Sequence, residues 1–257
     1  MTVEYEVRGP VALVTLRRPE QFNAIDGQTV IDLDSTFSRI ADDSTVRAVV
    51  ITGEGKAFSA GADIKEFMQL ETADEFRAFL HDLERALRRL ELLPQASVAA
   101  VNGVAFGGGL ELAMACDLRV ADPRARFGVP EIKLGIVPGA GGTQRLPRLV
   151  PKAVAAQMLL TGDPVDATEA HRIGLVNEIV THGSVVERAL ELATTLAARA
   201  PLAIAAAKRL LDSVTDTDLE AGLEAEREES ATLFATDDRR EGTAAFTEKR
   251  DPTFEGR

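Results

Sequence analysis

Three consecutive glycines constrain what this chain of 257 residues can fold into. They lie in NGVAFGGGLELAMACD, residues 102–117, between a strand-like apolar segment and a helix-like one. Glycine weakens any regular element that it occupies, so such a run indicates a turn where another group approaches the backbone closely. Peptide N–H groups at a helix start lack intrahelical partners and carry the positive end of the helix dipole. The turn can therefore present free donors to a ligand oxygen.

Two phosphate-binding motifs are excluded at this turn. A P-loop needs Lys-Ser/Thr after its second glycine, and no lysine stands there. A dinucleotide fingerprint that begins at Gly107 has Gly109 in place but Leu112 at its third glycine position. What remains is a glycine turn and a helix start with Glu111 in the first turn. This pattern is typical of an oxyanion hole, although by itself it fits close helix–strand packing equally well.

Two further segments favour the functional interpretation. GKAFSAGADIKE, residues 55–66, follows a buried strand and offers a second bend of small residues, which could supply another backbone donor. FGVPEIKLGIVPGAGGTQRL, residues 127–146, places Glu131 directly after Pro130 in a loop rich in glycine and proline. Loops at strand ends are where parallel α/β folds build their sites. The sequence thus predicts a site with two backbone donors and two carboxylates.

Strand-like and helix-like patterns alternate over the first two thirds of the chain. VEYEVR and VALVTL around GP predict a β-hairpin, and three further apolar segments predict buried strands: VRAVVITGEG, SVAAVNG and DLRVAD. Helical patterns are found at 27–41, 73–93, 183–200, 202–213 and 217–249, the last broken near Asp237–Asp238. This alternation predicts an α/β fold in which crossover helices join parallel strands.

Composition and charge exclude several classes of protein. The net charge of −12 argues against nonspecific binding to nucleic acid or to anionic membranes. No apolar run is long enough for a transmembrane helix, and the first residues resemble neither a secretory signal nor a transit peptide. The single cysteine, Cys116, cannot form an intramolecular disulfide, which fits a reducing, cytoplasmic location. No His/Cys/carboxylate spacing indicates a metal site.

The three segments together resemble the crotonase (enoyl-CoA hydratase/isomerase) superfamily. LTGDPVDATEAHRIGLVNEIV and the ending DRREGTAAFTEKRDPTFEGR are also similar to that family, so the resemblance covers essentially the whole chain. It implies an α/β spiral of repeated ββα units that carries the active site over residues 1–195. It further implies a C-terminal helical oligomerisation region at 196–257, which would form a homotrimer or a homohexamer built as a dimer of trimers.

The resemblance also implies a reaction and the residues that perform it. Family members bind acyl-CoA thioesters and polarise the thioester carbonyl with two backbone N–H groups, here those of Ala62 and Gly108. Hydratase-like members carry glutamates at both positions that Glu111 and Glu131 occupy here. The implied activity is an enoyl-CoA hydratase, which reversibly adds water across the 2,3 double bond of a 2-enoyl-CoA to give 3-hydroxyacyl-CoA. Glu111 would deprotonate the water and Glu131 would protonate Cα.

Other members of the superfamily keep the oxyanion hole but run different reactions. An enoyl-CoA isomerase or a decarboxylase is therefore the alternative within enzymes. A non-catalytic acyl-CoA-binding or RNA-binding relative is the alternative from another class, although RNA binding would need a basic surface. No cofactor is implied, because coenzyme A is part of the substrate, and fatty-acid β-oxidation is the commonest setting for such enzymes.

Contacts with coenzyme A are expected mainly in the second segment. The residues assigned to them are Lys56, Ala60, Gly61, Asp63, Ile64 and Lys65. The two lysines are candidates for phosphate contacts, as are Arg17 and Arg18 at a strand end. Asp63 stands in a turn, where an aspartate commonly holds the loop through local backbone hydrogen bonds.

Overall fold

The strands of this protein form two sheets, as seen in a computed structural model that describes all of residues 1–257. In chain order the strands are β1 (Val3–Arg8), β2 (Val11–Leu16), β3 (Ala48–Gly53), β4 (Ala57–Ser59), β5 (Ala96–Val101), β6 (Val104–Phe106), β7 (Leu118–Ala121), β8 (Arg126–Gly128), β9 (Val165–Asp166) and β10 (Glu178–Ile179). The larger sheet has the order β1-β2-β3-β5-β7-β10, and the smaller has the order β4-β6-β8-β9.

Helices connect these strands and make up most of the last third of the chain. They are α1 (Gly27–Asp42), α2 (Ile64–Phe67), α3 (Ala73–Glu91), α4 (Gly108–Ala115), α5 (Gly142–Leu149), α6 (Lys152–Thr161), α7 (Ala167–Arg172), α8 (Val185–Ala197), α9 (Pro201–Ser213), α10 (Leu219–Phe234) and α11 (Asp237–Glu248). Short 3₁₀ helices lie at Pro19–Gln21 and Pro130–Leu134.

The strand pairing confirms the predicted hairpin and the parallel sheet. β1 and β2 are antiparallel, with Val3 opposite Leu16 and Arg8 opposite Val11. All later neighbours in the larger sheet are parallel, from β2 and β3 to β7 and β10. Parallel neighbours bring their carboxyl ends to one edge of the sheet, so the segments that follow β3, β5 and β7 are close in space.

Each repeating unit of the chain places one strand in the larger sheet and the next strand in the smaller sheet, and a helix then follows. This repetition gives the expected spiral of ββα units. β3 is followed by β4, β5 by β6, and β7 by β8, and the short strands β4, β6 and β8 pair in parallel. Two of these three-residue strands, β4 and β8, lie in segments whose patterns indicated only irregular structure. Three residues are too few to show a periodicity, so the second sheet is visible only in the structure.

The larger sheet is covered on both faces. Along β3, Val49 and Ile51 face the main core, whereas Ala48 and Val50 face α8 on the opposite side. This alternation follows from the period of two in a strand. It explains why these strands are apolar throughout, since strands of a parallel sheet are usually buried on both faces.

The predicted helices are present, and their ends are defined by local capping. The Asp26 carboxylate accepts the Thr29 N–H at the start of α1, and Thr72 forms a capping box with Glu75 at the start of α3. The predicted break near Asp237–Asp238 is found between α10 and α11. The expected boundary between 195 and 196 falls inside α8, which packs against the larger sheet.

Among the helices, none is by itself both long and apolar enough to cross a bilayer. Only α8 and α9 together reach the required length and composition, and the chain bends by 107° between them.

The glycine run Gly107–Gly109 has a separate structural reason at two of its three positions. Gly107 has a φ of +50°, a conformation that side chains rarely adopt. At Gly109 a methyl group would overlap the Ser59 carbonyl oxygen and lie 2.7 Å from the Ser59 Cβ, so α4 can approach β4 only without a side chain there. A methyl group at Gly108 would meet nothing closer than Leu83 at 3.5 Å. The middle glycine is therefore not required by packing.

We expect Gly109→Ala to destabilise the fold. Forcing a methyl group against the backbone of β4 should lower the free energy of unfolding by about 1–3 kcal/mol, as overpacking does. The matched control is Gly222→Ala in α10, where the added methyl group would lie 3.7 Å from Thr217 Oγ1. That control should gain up to ~1 kcal/mol from helix propensity. Urea unfolding at one protein concentration measures the free energy of unfolding of both variants and of the wild type. A Gly109→Ala variant as stable as the wild type would contradict the close approach of α4 and β4.

Candidate active site

One largely apolar cavity of about 320 Å³ lies at the strand ends where the three segments meet. Its apolar wall comes mainly from a helical stripe on α3: Phe76, Phe79, Leu80 and Leu83. Phe67 of α2 extends this wall and stacks edge-on against Phe76, with ring centroids 5.3 Å apart. The charged residues of the lining are Glu111, Glu131 and Lys133, and the Lys133 ammonium donates to Asp163 at 2.7 Å.

Two backbone N–H groups open onto this cavity. Ala62 follows β4 in a bend that Ile25 holds from both sides, since the Ile25 N–H donates to the Gly61 carbonyl at 2.8 Å and the Ile25 carbonyl accepts the Asp63 N–H at 2.9 Å. Neither the Ala62 N–H nor the Gly108 N–H has a protein acceptor. A methyl group at Gly108 would lie 3.8 Å from the Ala62 nitrogen, so the two donors are close neighbours.

Glu111 is a buried carboxyl group held in one orientation. Its side chain comes from the first turn of α4, and the residue is only 2% exposed. Oε1 accepts the N–H of Ala140 at 2.9 Å and the N–H of Gly142 at 2.7 Å, whereas Oε2 accepts no hydrogen bond from the protein. Burial raises the pKa of Glu111, and the two N–H donors and the Arg145 charge oppose that rise.

Glu131 reaches the same cavity from the 3₁₀ helix Pro130–Leu134 but lacks such donors. Its Oε2 is buried without a hydrogen-bond partner, and its Oε1 packs so closely on Gly107 that a methyl group there would lie 2.6 Å away. Burial and then the nearby charge of Glu111 raise the pKa of Glu131 to about 7, although the N–H of its own residue opposes this. Both of its protonation states are therefore accessible near neutral pH.

This geometry can support proton transfer beside a stabilised oxyanion. Glu111 has donors that favour its ionised form, and Glu131 lies in surroundings that favour the proton-bearing form. Two carboxyl groups that interact in this way titrate as a pair. With two free N–H donors in the same cavity, the arrangement suits acid–base chemistry on a substrate whose carbonyl gains negative charge in the transition state.

The structure brings most of the predicted site residues together in this cavity. They are Ala60, Gly61, Ala62, Ile64, Gly108, Glu111 and Glu131. Lys56 and Lys65 are exposed and lie outside the lining.

Asp63 also lies outside the lining and has the local role expected of a turn aspartate. Its carboxylate accepts the Lys65 N–H at 3.0 Å and thereby caps α2. It also accepts a hydrogen bond from Arg18 at 2.8 Å, and Arg18 pairs with Asp26 as well. Arg17 contacts two glutamates of its own surroundings, Glu4 and Glu54. Both arginines are therefore engaged by carboxylates of the protein.

Several lining residues had no signal of their own in the sequence. Leu134, Ile136 and Val137 complete the apolar wall, and the bend Gly139–Gly142 supplies the two donors to Glu111. The repeated glycines of VPGAGG are the sequence feature that indicates this bend, just as the run Gly107–Gly109 indicates the first glycine turn. Met68 is 78% exposed and does not line the cavity, unlike its neighbour Phe67.

Comparisons with known proteins agree with the fold and show the family of this chain. The family description "Enoyl-CoA hydratase/isomerase" matches residues 6–257. The short-chain-enoyl-CoA hydratase of Clostridium acetobutylicum is 44% identical over 95% of this chain and 94% of its own length. The 2,3-dehydroadipyl-CoA hydratase of Escherichia coli is 44% identical over 96% of each chain. The crystal structure of an enoyl-CoA hydratase from Bacillus anthracis superposes with a TM-score of 0.97, at 36% identity and 100% coverage of both chains.

We expect Glu131 to titrate at about pH 7, because burial and the Glu111 charge disfavour its ionised form. The infrared band of a protonated carboxyl group, taken as the difference between the wild type and Glu131→Gln, should disappear as the pH rises through that value. In Glu111→Gln the same band should disappear at a lower pH, because the repelling charge is gone. Titration of the wild-type group near the ordinary glutamate value of about 4.3 would contradict this prediction.

Proposed function

Because the chain belongs to the enoyl-CoA hydratase/isomerase family, we propose that it is an enoyl-CoA hydratase that reversibly adds water to a 2-enoyl-CoA thioester. The observation that carries this proposal is the meeting of two carboxyl groups, Glu111 and Glu131, in one cavity with two unpaired backbone N–H groups. Hydration needs an acid, a base and an oxyanion site at the same time, and these groups can supply all three.

The proposed reaction begins with the thioester oxygen between the N–H groups of Ala62 and Gly108. These donors stabilise the enolate that forms when a water oxygen bonds to Cβ. Glu111 takes a proton from that water, and Glu131 gives its proton to Cα. The pair thus begins and ends with one proton in total, which has moved from Glu131 to Glu111. In the reverse direction the two carboxyl groups exchange their roles.

The contacts of each carboxyl group support this division of roles. Glu111 accepts two N–H bonds at Oε1, which favour a carboxylate and leave Oε2 available to a water molecule. Glu131 has a buried oxygen without a donor, so a negative charge there is poorly compensated and the proton is retained. A proton donor with a pKa near neutrality is also suited to exchange between acid and base forms.

We further propose that the coenzyme A part of the substrate runs along the bend after β4. Ala60, Gly61 and Ile64 line the cavity there, and Asp63 keeps the bend in shape through its contacts with Lys65 and Arg18. Lys56 and Lys65 are the exposed cations on this segment and remain our candidates for phosphate contacts. Arg17 and Arg18 are weaker candidates, because their charges are compensated by neighbouring carboxylates.

We propose that residues 196–257 mediate assembly into a homotrimer or a hexamer of two trimers. Support comes from large apolar side chains that are exposed along α9, α10 and α11: Leu211, Leu219, Phe234 and Phe246. Large apolar side chains left exposed on three successive helices favour an interface with other subunits. A cytoplasmic location in fatty-acid β-oxidation completes the proposal, supported by a single, buried cysteine. We infer no cofactor beyond the coenzyme A of the substrate.

Replacing either glutamate should abolish most hydration. We expect Glu111→Gln and Glu131→Gln each to lower kcat for crotonyl-CoA by about 100- to 10,000-fold, because each loses a proton-transfer group. The matched control is Glu187→Gln, an exposed glutamate on α8 that should keep wild-type activity. The assay monitors the absorbance of the conjugated enoyl thioester, which decreases as hydration removes the double bond. A wild type that isomerises 3-enoyl-CoA faster than it hydrates crotonyl-CoA would favour the isomerase alternative instead.

Gly108→Ala should leave the fold intact and impair catalysis. The added methyl group makes ordinary contacts with Leu83 at 3.5 Å and Ile25 at 3.6 Å, but it crowds the space beside the Ala62 nitrogen. We expect a loss of about 100- to 1,000-fold in kcat, the usual effect of losing one oxyanion donor. Thermal unfolding and crotonyl-CoA kinetics measure the two effects separately. Full activity of a folded variant would exclude these two amides as the oxyanion site.

A further inference from the structure

The bend Gly139–Gly142, which holds Glu111, is itself clamped by an ion pair at the rear of the site. Arg145 of α5 donates to the Ala140 carbonyl at 2.5 Å from Nη1. The same guanidinium contacts Glu91 at the end of α3 through two hydrogen bonds, from Nε at 2.5 Å and from Nη2 at 3.0 Å. The side chains of both partners are mostly buried, with 13% of Arg145 and 18% of Glu91 exposed.

This geometry points to Arg145 and Glu91 as a positioning pair for Glu111, an inference that rests on the proposed function. Ala140 accepts the Arg145 hydrogen bond through its carbonyl group and donates to Glu111 through its N–H. A shift of the bend would therefore move both donors relative to the Glu111 carboxylate. Neither Arg145 nor Glu91 lines the cavity, so the pair acts through the bend and not on the substrate.

The sequence of the bend is adapted to this clamp. Gly141 has a φ of +107°, which turns the chain so that the N–H groups of Ala140 and Gly142 both point at one carboxylate oxygen. A methyl group at Gly141 would overlap the Arg145 guanidinium, so the arginine packs directly on the bend. Glu91 also accepts a hydrogen bond at Oε2 from Arg88 Nη1, at 3.2 Å. Arg88 in turn donates from Nη2 to the Asp212 carboxylate of α9 at 2.9 Å.

A planar, five-donor guanidinium is suited to this task. It contacts Glu91 through two nitrogens and the Ala140 carbonyl through a third, whereas a lysine ammonium lacks this fork. The Arg145 charge also favours the ionised form of Glu111. The charged groups that act on Glu111 are Arg145 from α5 and Glu131 from the facing 3₁₀ helix, with Glu91 of α3 behind the arginine.

The test compares Arg145→Gln with Arg148→Gln in crotonyl-CoA hydration. Arg148 is on the same helix one turn later, is half exposed, and contacts Gln144, Thr215 and Asp216 but not the bend. We expect Arg145→Gln to lose about 100-fold in kcat, as a small misplacement of a catalytic group does. KM should change by less than about threefold, since the lost contacts matter in the transition state. Arg148→Gln should resemble the wild type.

The pH profile separates positioning from a merely structural role. Without the positive charge the pKa of Glu111 rises, so Glu111 keeps its proton to higher pH and the acidic limb of kcat/KM moves upward in Arg145→Gln. If that variant does not fold, Arg145→Lys replaces it. The lysine variant retains the charge, so its acidic limb should stay near that of the wild type. It should still lose roughly tenfold in kcat because one ammonium cannot make the bidentate contact.

Two results would overturn the inference. A folded Arg145→Gln or Arg145→Lys with wild-type kcat and an unmoved acidic limb would show that the bend keeps its geometry without the clamp. Equal losses in the Arg145 and Arg148 variants would show a general effect of charge on α5. Failure of the proposed function is distinguishable from both, because in that case the wild-type enzyme itself would not hydrate crotonyl-CoA.

Discussion

Burial of the Glu111 carboxyl group is the constraint on which the rest of the site depends. A carboxylate without compensation in an apolar cavity is strongly disfavoured, and it either takes up a proton or finds donors. Here the donors are the N–H groups of Ala140 and Gly142, which can meet at one oxygen only because the chain reverses at Gly141. The start of α4 and the bend before α5 must therefore be built together. Glu131 lacks these two donors, and burial together with the Glu111 charge raises its pKa to about 7.

The spiral topology brings these distant segments to one place. Because β3, β5 and β7 are parallel neighbours, the segments that follow them leave the larger sheet at the same edge. The short strands β4, β6 and β8 then bind the segments to each other in the smaller sheet. The bend with Ala62, the turn with Gly108 and the loop with Glu131 are consequently fixed by strand pairing, and the amides are in place before a substrate arrives. Such preorganisation is what makes main-chain donors effective in catalysis.

The glycines that mark the site in the sequence have different reasons in the structure. Gly107 allows a backbone conformation closed to side chains, and Gly109 allows α4 to pack on Ser59. At Gly108 alone a methyl group would make only ordinary contacts, with Leu83 at 3.5 Å and with the Ala62 nitrogen at 3.8 Å. A run that looks uniform in the sequence thus combines two positions where packing or backbone conformation requires glycine with one position, Gly108, where neither does.

The sequence by itself determined the hairpin, the parallel strands and the long helices. It also indicated a site that combines two carboxyl groups, Glu111 and Glu131, with backbone donors from two glycine-rich segments. These features depend on local periodicity, on turn chemistry and on long irregular motifs, all of which are written along the chain. It did not determine the second sheet, whose three-residue strands carry no periodic signal, nor the donors at Ala140 and Gly142 that hold Glu111. It also left Arg18 as a candidate for phosphate contacts, whereas the structure pairs it with Asp26 and Asp63. Only the tertiary structure decides such matters, because the partner of a buried charge is chosen by which distant segments the fold brings within hydrogen-bond distance.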